Sequence, residues 1–482
     1  MWPVGEGLDT YAFPKEWALL AFGLACLPAV ARRWPPTVRG ASWWLIALGG
    51  VASAALAIHA GWGLRQASLT VAGAALYSAS LRDDERQRAR LLWACAAFVA
   101  IVGLVAVLES QGFFAGLSPR GRAPGSLLGQ RNHVAHLCAL ALPLLALSAL
   151  RGRRAVRIAA GLAWAVCALA LVWTRSRTGW WGALAGLVAL GVTLGLARRW
   201  KDLGLVAAGA ALSVAVGAAT PVRLAWRGER PYLQSLSTMA DLAHGSGRGR
   251  WVQAQASLNL VKDAPVLGVG PGNWVVHYPR VATPGEAFDA DAPFPTGRLM
   301  TNDVVAALVE RGAWPLMAVA LSAWLWRRKR LLAVAHHDAW WPTVVTLAVV
   351  ALGDSVLQLP APQAFVAVLL GALTIPPADV AGAPSTSALV PPRRARWWLA
   401  PVGAVLAVAL LMATGRLVAL TLRAHGPSWR DAEAALRFDP GDTLLRLELG
   451  RSLALAGRCD EAAPHLARAR RQLPWHDIPS CR

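Results

Sequence analysis

"GLAWAVCALALVWTRSRTGWWGALAGLVALGVTLGL" (Gly161–Leu196) holds two apolar runs separated by a short polar turn around Thr174–Arg177. A spanning helix needs about 20 mostly apolar residues, and residues 155–173 and 179–197 each meet that need. The turn predicts a helical hairpin in a bilayer, with Arg175 and Arg177 held tightly between two hydrophobic spans.

The same reading extends in both directions. Only 16% of the 482 residues are charged, where a soluble domain carries about a quarter. Twelve apolar runs qualify as spans: 16–31, 41–61, 66–81, 91–109, 133–150, 155–173, 179–197, 203–220, 303–326, 340–357, 362–376 and 397–420. The expected fold is all-α, a polytopic membrane helix bundle. Its expected parts are eight helices in 1–220, a large loop at 221–302, four more helices in 303–420 and a soluble tail at 424–482. The opening "MWPVGEGLDTYAFPKEW" is more acidic than basic. It lacks the positive start of a cleaved signal peptide, so the first span is expected to stay.

The formal charge is +21, and only four of the 48 basic residues are lysines: Lys15, Lys201, Lys262 and Lys329. Apolar spans divide these charges into short clusters, which argues for topology and against nucleic acid as a partner. Alternate connections read "RRWPPTVR", "RDDERQRAR", "RGRRAVR", "RRWKD", "RRKR" and "PPRRAR". Basic loops stay in the cytoplasm. All six fall on that side if both termini and the large loop lie outside.

A second set of arginines then stands on the opposite side, against that orientation signal. Arg120, Arg122 and Arg131 precede the fifth span, and Arg175 and Arg177 occupy the hairpin turn. Arg223, Arg227, Arg230, Arg248, Arg250, Arg280 and Arg298 lie in the loop. Guanidinium groups bond phosphate oxygens bidentately and keep their charge, so this set predicts a pyrophosphate or similar polyanion at the outer leaflet. No P-loop is present, and "GVGPGN" (Gly268–Asn273) reads as a turn ending a helix, not as a dinucleotide site. In that helix Trp251, Ala254, Leu258 and Val261 form an apolar stripe, suited to the membrane surface or to capping the bundle.

Four stretches in order resemble the O-antigen ligase and polymerase superfamily of bacterial membrane glycosyltransferases. They are "GSLLGQRNHVAHLCALALPL", "TRSRTGWWGALAGLVAL", "RGRWVQAQASLNLVKDAPVLGVGPGNW", and "TNDVVAALVERGAWPLMAV" followed by "DSVLQLPAPQAFVAVLLG". The resemblance covers about residues 90–376 and implies an inner-membrane enzyme whose loop lies over the reaction centre. A glycan or lipid acceptor hydroxyl would attack the anomeric carbon of a polyprenyl-pyrophosphate-linked glycan, without a metal ion or other cofactor. The family's paired arginines map onto Arg177, or its neighbour Arg175, and onto Arg250, or Arg248. Arg131, Asn132, Asn302, Asp303 and Glu310 are the further substrate-binding candidates.

The chain departs from that pattern at Thr301, where ligases of the family carry a histidine before "ND". Threonine is no base near neutral pH. His277 in "NWVVHYPRV", expected to face outward, is the substitute candidate, with His244 another. The missing histidine leaves polymerase chemistry open, as well as a non-catalytic assembly scaffold; a transporter of an anionic lipid-linked sugar is a third class. His133 and His136 sit at i, i+3 with no third ligand evident, so the polar start of a helix is the reading there, and no metal site. Asp354 and Gln358 near the outer end of span ten are expected to be hydrogen-bonded within the bundle.

The tail "DAEAALRFDPGDTLLRLELGRSLALAGRCDEAAPHLARARRQLP" resembles tetratricopeptide repeats, roughly one and a half of them. It is shorter than the three repeats usually needed for independent stability. It should lean on the membrane domain or on assembly proteins. Cys26, Cys95, Cys138 and Cys167 fall in spans, whereas Cys459 and Cys481 lie in the tail and are expected to pair in an oxidising compartment.

Overall fold

A computed structural model describes residues 8–31, 38–81, 84–114, 117–118, 122–224, 231–237, 245–282, 299–329, 338–374, 399–423, 429–476, 478 and 480. The first half contains α1 (Leu8–Ala31), α2 (Val38–Ala55), α3 (Ala60–Ser80), α4 (Glu85–Ser110), α5 (Arg131–Arg151), α6 (Arg154–Thr174), α7 (Arg177–Leu196) and α8 (Trp200–Ala219). The loop region holds α9 (Pro231–Ser237), α10 (Gly245–Val261) and the single turn α11 (Trp274–His277). Then come α12 (Asp303–Arg311), α13 (Trp314–Lys329), α14 (Trp340–Gly353), α15 (Pro360–Leu373) and α16 (Leu399–Arg423). The tail adds α17 (Trp429–Phe438), α18 (Thr443–Leu455) and α19 (Cys459–Gln472).

The protein is an all-α, multi-pass membrane bundle. Each of the twelve expected runs holds a helix, yet among the described residues only seven helices are alone long and apolar enough to span. These are α1, α4, α5, α6, α7, α8 and α16, while α2, α14 and α15 are shorter apolar helices. The expected span 303–326 is broken: α12 and α13 meet at a 107° bend, and together they are long and apolar enough to span. Gly312 at φ +62° makes that break, where a Cβ would strike the backbone of Val266. The Ala313 N–H donates to the Pro265 carbonyl at 2.8 Å, so the loop holds the corner.

The chain divides into two compact units. The first comprises Met1–Tyr11, Leu76–Gly247 and Trp326–Leu389; the second comprises Ala12–Ala75, Arg248–Leu325 and Val390–Arg482. In the first unit α5 is the central helix, with Val134–Leu147 buried. Lipid offers no hydrophobic drive for helix association, so close approach of small residues supplies it. Helix α7 provides such an edge: a side chain at Gly182 would strike Val350, and one at Gly186 would strike Thr346, both on α14.

The second unit has a polar clamp at its centre. Buried Glu16 on α1 accepts from Arg65 Nε on α3 at 2.8 Å and pairs with Arg416 on α16. Arg416 Nε also lies 3.7 Å from Asp439, just past α17. Removing one partner of such a set strands a buried charge, at about 3–5 kcal/mol.

The tail in this unit shares one hydrophobic core with the loop. Leu260, Val269, Trp274 and Tyr278 pack in the same cluster as Leu445, Leu449, Leu466 and Leu473. Gly450 of α18 lets α19 come close, since a Cβ there would lie 2.8 Å from Leu466. Cys459 is disulfide-bonded; its expected partner, Cys481, lies outside the described residues.

A relay of hydrogen bonds joins the α2–α3 turn to this tail. Trp62 N–H donates to His59 Nδ1 at 3.2 Å, which fixes the proton of the neutral ring on Nε2. That nitrogen stands 2.5 Å from Thr443 Oγ1, whose hydroxyl in turn donates to Gln472 Oε1 at 2.7 Å. Burial pushes the His59 ring down to about 4, below the roughly 6.5 of an unfolded chain. The neutral ring therefore stabilises the fold fully above pH 6.5 or so, and that contribution disappears as pH falls toward the folded value, a loss of about 3 kcal/mol. Thermal unfolding of the detergent-solubilised protein should show wild type losing stability relative to His59→Gln between neutral pH and the acid side. Parallel pH profiles would count against the relay.

Candidate functional site

In the first unit the hairpin turn is built by backbone geometry. Arg175 adopts a left-handed conformation (φ +52°) and closes α6, its N–H donating to the Val172 carbonyl at 3.2 Å. Ser176 then caps α7, its hydroxyl accepting from Gly179 N at 3.3 Å. Arg177 is thereby the first residue of α7. A Cβ on Gly179 would stand 2.6 Å from Ala135, one turn into α5. The starts of α5 and α7, with Arg131 and Arg177, are therefore neighbours.

Helix starts carry partial positive charge and spare N–H groups. Here they are joined by guanidinium groups. Arg175 Nε donates to Ser235 on α9 at 2.9 Å. Burial first, then the charge of Arg131, lowers the proton affinity of Arg175, while Tyr232 opposes the shift. Burial pushes the Tyr232 phenol up to about 12. Arg122 accepts through its carbonyl from Arg131 N at 3.0 Å, and its Nη1 is buried with no hydrogen-bond partner among the described residues.

One carboxylate stands among these groups. Asp354, at the end of α14, accepts from Asn132 Nδ2 at 3.0 Å, and its Oδ2 lies 3.7 Å from His136 Nε2. The preceding Gly353 brings it there, because a Cβ at that position would sit 2.6 Å from Thr178. The segment leading to Arg131 is tied down by Glu109, which accepts from Ser126 N at 2.8 Å. Arg131, Asn132, Arg175 and Arg177 are thus gathered in one unit. Sequence reasoning missed the part played by Tyr232 and Ser235, because a short polar helix in the loop gave no periodic signal.

The remaining candidates belong to the second unit. Arg248 is exposed and Arg250 half-buried, both on α10. Of the expected apolar stripe on that helix, Trp251 and Leu258 are exposed and Ala254 and Val261 partly buried, while Ala256, Ser257 and Leu260 form the buried face. Ser257 is fixed there as the acceptor for Trp274 Nε1 at 2.8 Å. Thr301 donates to Gln253 Oε1 at 2.6 Å through its hydroxyl and at 3.0 Å through its N–H. Asn302 caps α12, its side-chain oxygen accepting from Val304 N and Val305 N at 3.0 Å each. Asp303 and Glu310 are both buried.

Glu310 serves the glycine loop. Its carboxylate lies 3.4 Å from Trp274 N, and its carbonyl accepts from Gly270 N at 3.0 Å. Gly268 and Gly270 have φ of +70° and +105°, and a Cβ on the first would strike the Glu310–Arg311 backbone. This loop packs backbone against backbone, which only glycine permits.

His277, expected to face outward, is corrected. It is buried, 8% exposed, with its ring 4.8 Å from that of Trp475. The large rings of Trp274 and Tyr278 draw α11 into the core. Burial pushes the His277 ring down to about 4, far from the value that suits a base at neutral pH. His244 lies outside the described residues, as do Arg120, Arg227, Arg230 and Arg298.

Residues 162–298 match the family described as O-antigen ligase. The match takes in the hairpin turn, α9, α10 and the glycine loop, and supports an O-antigen ligase or polymerase-type membrane enzyme. No curated protein matches the chain.

The arginine cluster should bind inorganic pyrophosphate measurably in the purified protein. A hydrogen bond to a charged group contributes about 1.5–3 kcal/mol, so Arg131→Ala or Arg175→Ala should each weaken binding by roughly ten- to a hundredfold. Isothermal titration at low salt checks this; affinities equal to wild type in both variants would remove the cluster as an anion site.

Proposed function

We propose that the protein transfers or polymerises a glycan carried on polyprenyl pyrophosphate, at the periplasmic face of a bacterial inner membrane. The observation that carries this reading is the gathering of Arg131, Arg175 and Arg177 at the adjacent starts of α5 and α7. The family match to residues 162–298 supports it.

In this reading an acceptor hydroxyl attacks the anomeric carbon as the bond to the pyrophosphate oxygen breaks. Attack from the opposite face inverts the configuration. Negative charge grows on the departing pyrophosphate, and cations fixed in place stabilise that charge more in the transition state than in the ground state. Arg177 is assigned to the pyrophosphate, with Arg131 and Arg175 beside it and Asn132 holding Asp354. Arg250 is carried over by resemblance and is tested in parallel. With its ring held near 4 by burial, His277 is not assigned the acceptor's proton.

The test is the surface-glycan gel profile of cells lacking the protein, complemented with wild type, Arg177→Ala or Arg250→Ala. A ligase predicts loss of all attached glycan with lipid-linked chains accumulating; a polymerase predicts single repeat units still attached. Arg177→Ala should restore less than about a hundredth of the wild-type product, the size expected for a missing charge-stabilising donor. A normal profile from both variants would refute the catalytic reading and favour a scaffold.

A further inference from the structure

In the second unit, the α2–α3 turn and the segment after α10 line an open cavity of about 430 Å³. Its lining includes Leu56, Ile58, Pro265, Val266, His277 and Arg280. That volume falls within the range of about 300–1,000 Å³ typical of small-molecule sites. The mouth is apolar, with Leu56 73% and Val266 58% exposed.

His277 is the unexplained group. Its ring lies against Trp475, and although only 8% exposed, neither Nδ1 nor Nε2 has a hydrogen-bond partner among the described residues. A buried polar group without a partner is costly, so a side chain like this suits a ligand group that can bond to it. The ring is neutral and offers one donor and one acceptor.

The rest of the lining has little more to offer a polar ligand. The carbonyls of Ala264, Pro265 and Leu267 already accept from Gly268 N, Ala313 N and Ser53 Oγ. Arg280 is paired with Asp263, which cancels the charge at the rim and leaves no call for an anion. A buried water needs two to four polar partners, and at this imidazole it would find few. A hydroxyl attached to an apolar chain suits the site better. The hydroxyl can both donate to and accept from the ring, and the chain covers Leu56, Ile58 and Val266.

We propose that this cavity binds an uncharged alkyl chain ending in a hydroxyl, with His277 as the hydrogen-bond partner of that hydroxyl. The lining residues all belong to the second unit, whereas Arg131, Arg175 and Arg177 belong to the first.

The test uses the full chain in phosphatidylcholine nanodiscs, labelled with the photoactivatable alcohol 3-azioctanol and mapped by peptide mass spectrometry. Label should appear within residues 263–280 and be displaced by 1-octanol but not by an equal amount of octane. Val266→Trp, which fills the cavity from an exposed position, should cut that labelling at least tenfold. His277→Phe should weaken displacement by 1-octanol about three- to tenfold, the size of one neutral hydrogen bond. Absence of label in this segment of wild type would overturn the proposal, as would equal displacement by octane or undiminished labelling of Val266→Trp. Should His277→Phe fail to fold, Val266→Trp and the octane comparison decide the matter.

Discussion

A methyl group at position 179 would lie 2.6 Å from Ala135, so α5 and α7 can begin side by side only while residue 179 is glycine. That contact fixes where two sets of spare helix N–H groups emerge, and with them Arg131 and Arg177. The same edge of α7 continues through Gly182 and Gly186, against which α14 packs. Helix α14 then delivers Asp354 to Asn132. A single line of missing side chains thus positions both the cations and the carboxylate among them.

The electrostatic consequence is concentrated positive charge at one end of an apolar bundle. Arg131 and Arg175 are close enough for the charge of one to lower the proton affinity of the other. Such repulsion is stored in the resting protein and relieved when an anion arrives, more so as the anion gains charge. Asp354 is held by Asn132 and stands near His136, so part of its charge is already engaged within the unit. The glycine loop follows a different logic in the second unit. Gly268 and Gly270 let it lie directly on the end of α12, where Glu310 receives its amides. Asn302 caps its own helix α12, and the Glu310 carboxylate faces Trp274 N beside the glycine loop.

The seven long spans were legible because an apolar run of sufficient length has few alternatives in a chain with so little charge. The arginines of the hairpin turn were legible for the same reason, since charge there has no packing explanation. The bend between α12 and α13 was not, because Gly312 interrupts an otherwise continuous apolar run and its cause is a bond from Ala313 to distant Pro265. The buried face of α10 was not legible, because Ser257 is a polar residue buried by its bond to Trp274. His277 misled for a related reason: a histidine in a polar loop suggests solvent, but its neighbours Trp274 and Tyr278 are large rings that need a core. Side-chain size alone would have pointed there.

The most direct measurement is a cryo-electron-microscopy map of the protein in nanodiscs with polyprenyl pyrophosphate bound. The account predicts both phosphates at the starts of α5 and α7, within hydrogen-bonding distance of Arg131, Arg175 or Arg177. Phosphates bound elsewhere, with these three guanidinium groups turned away from them, would contradict it.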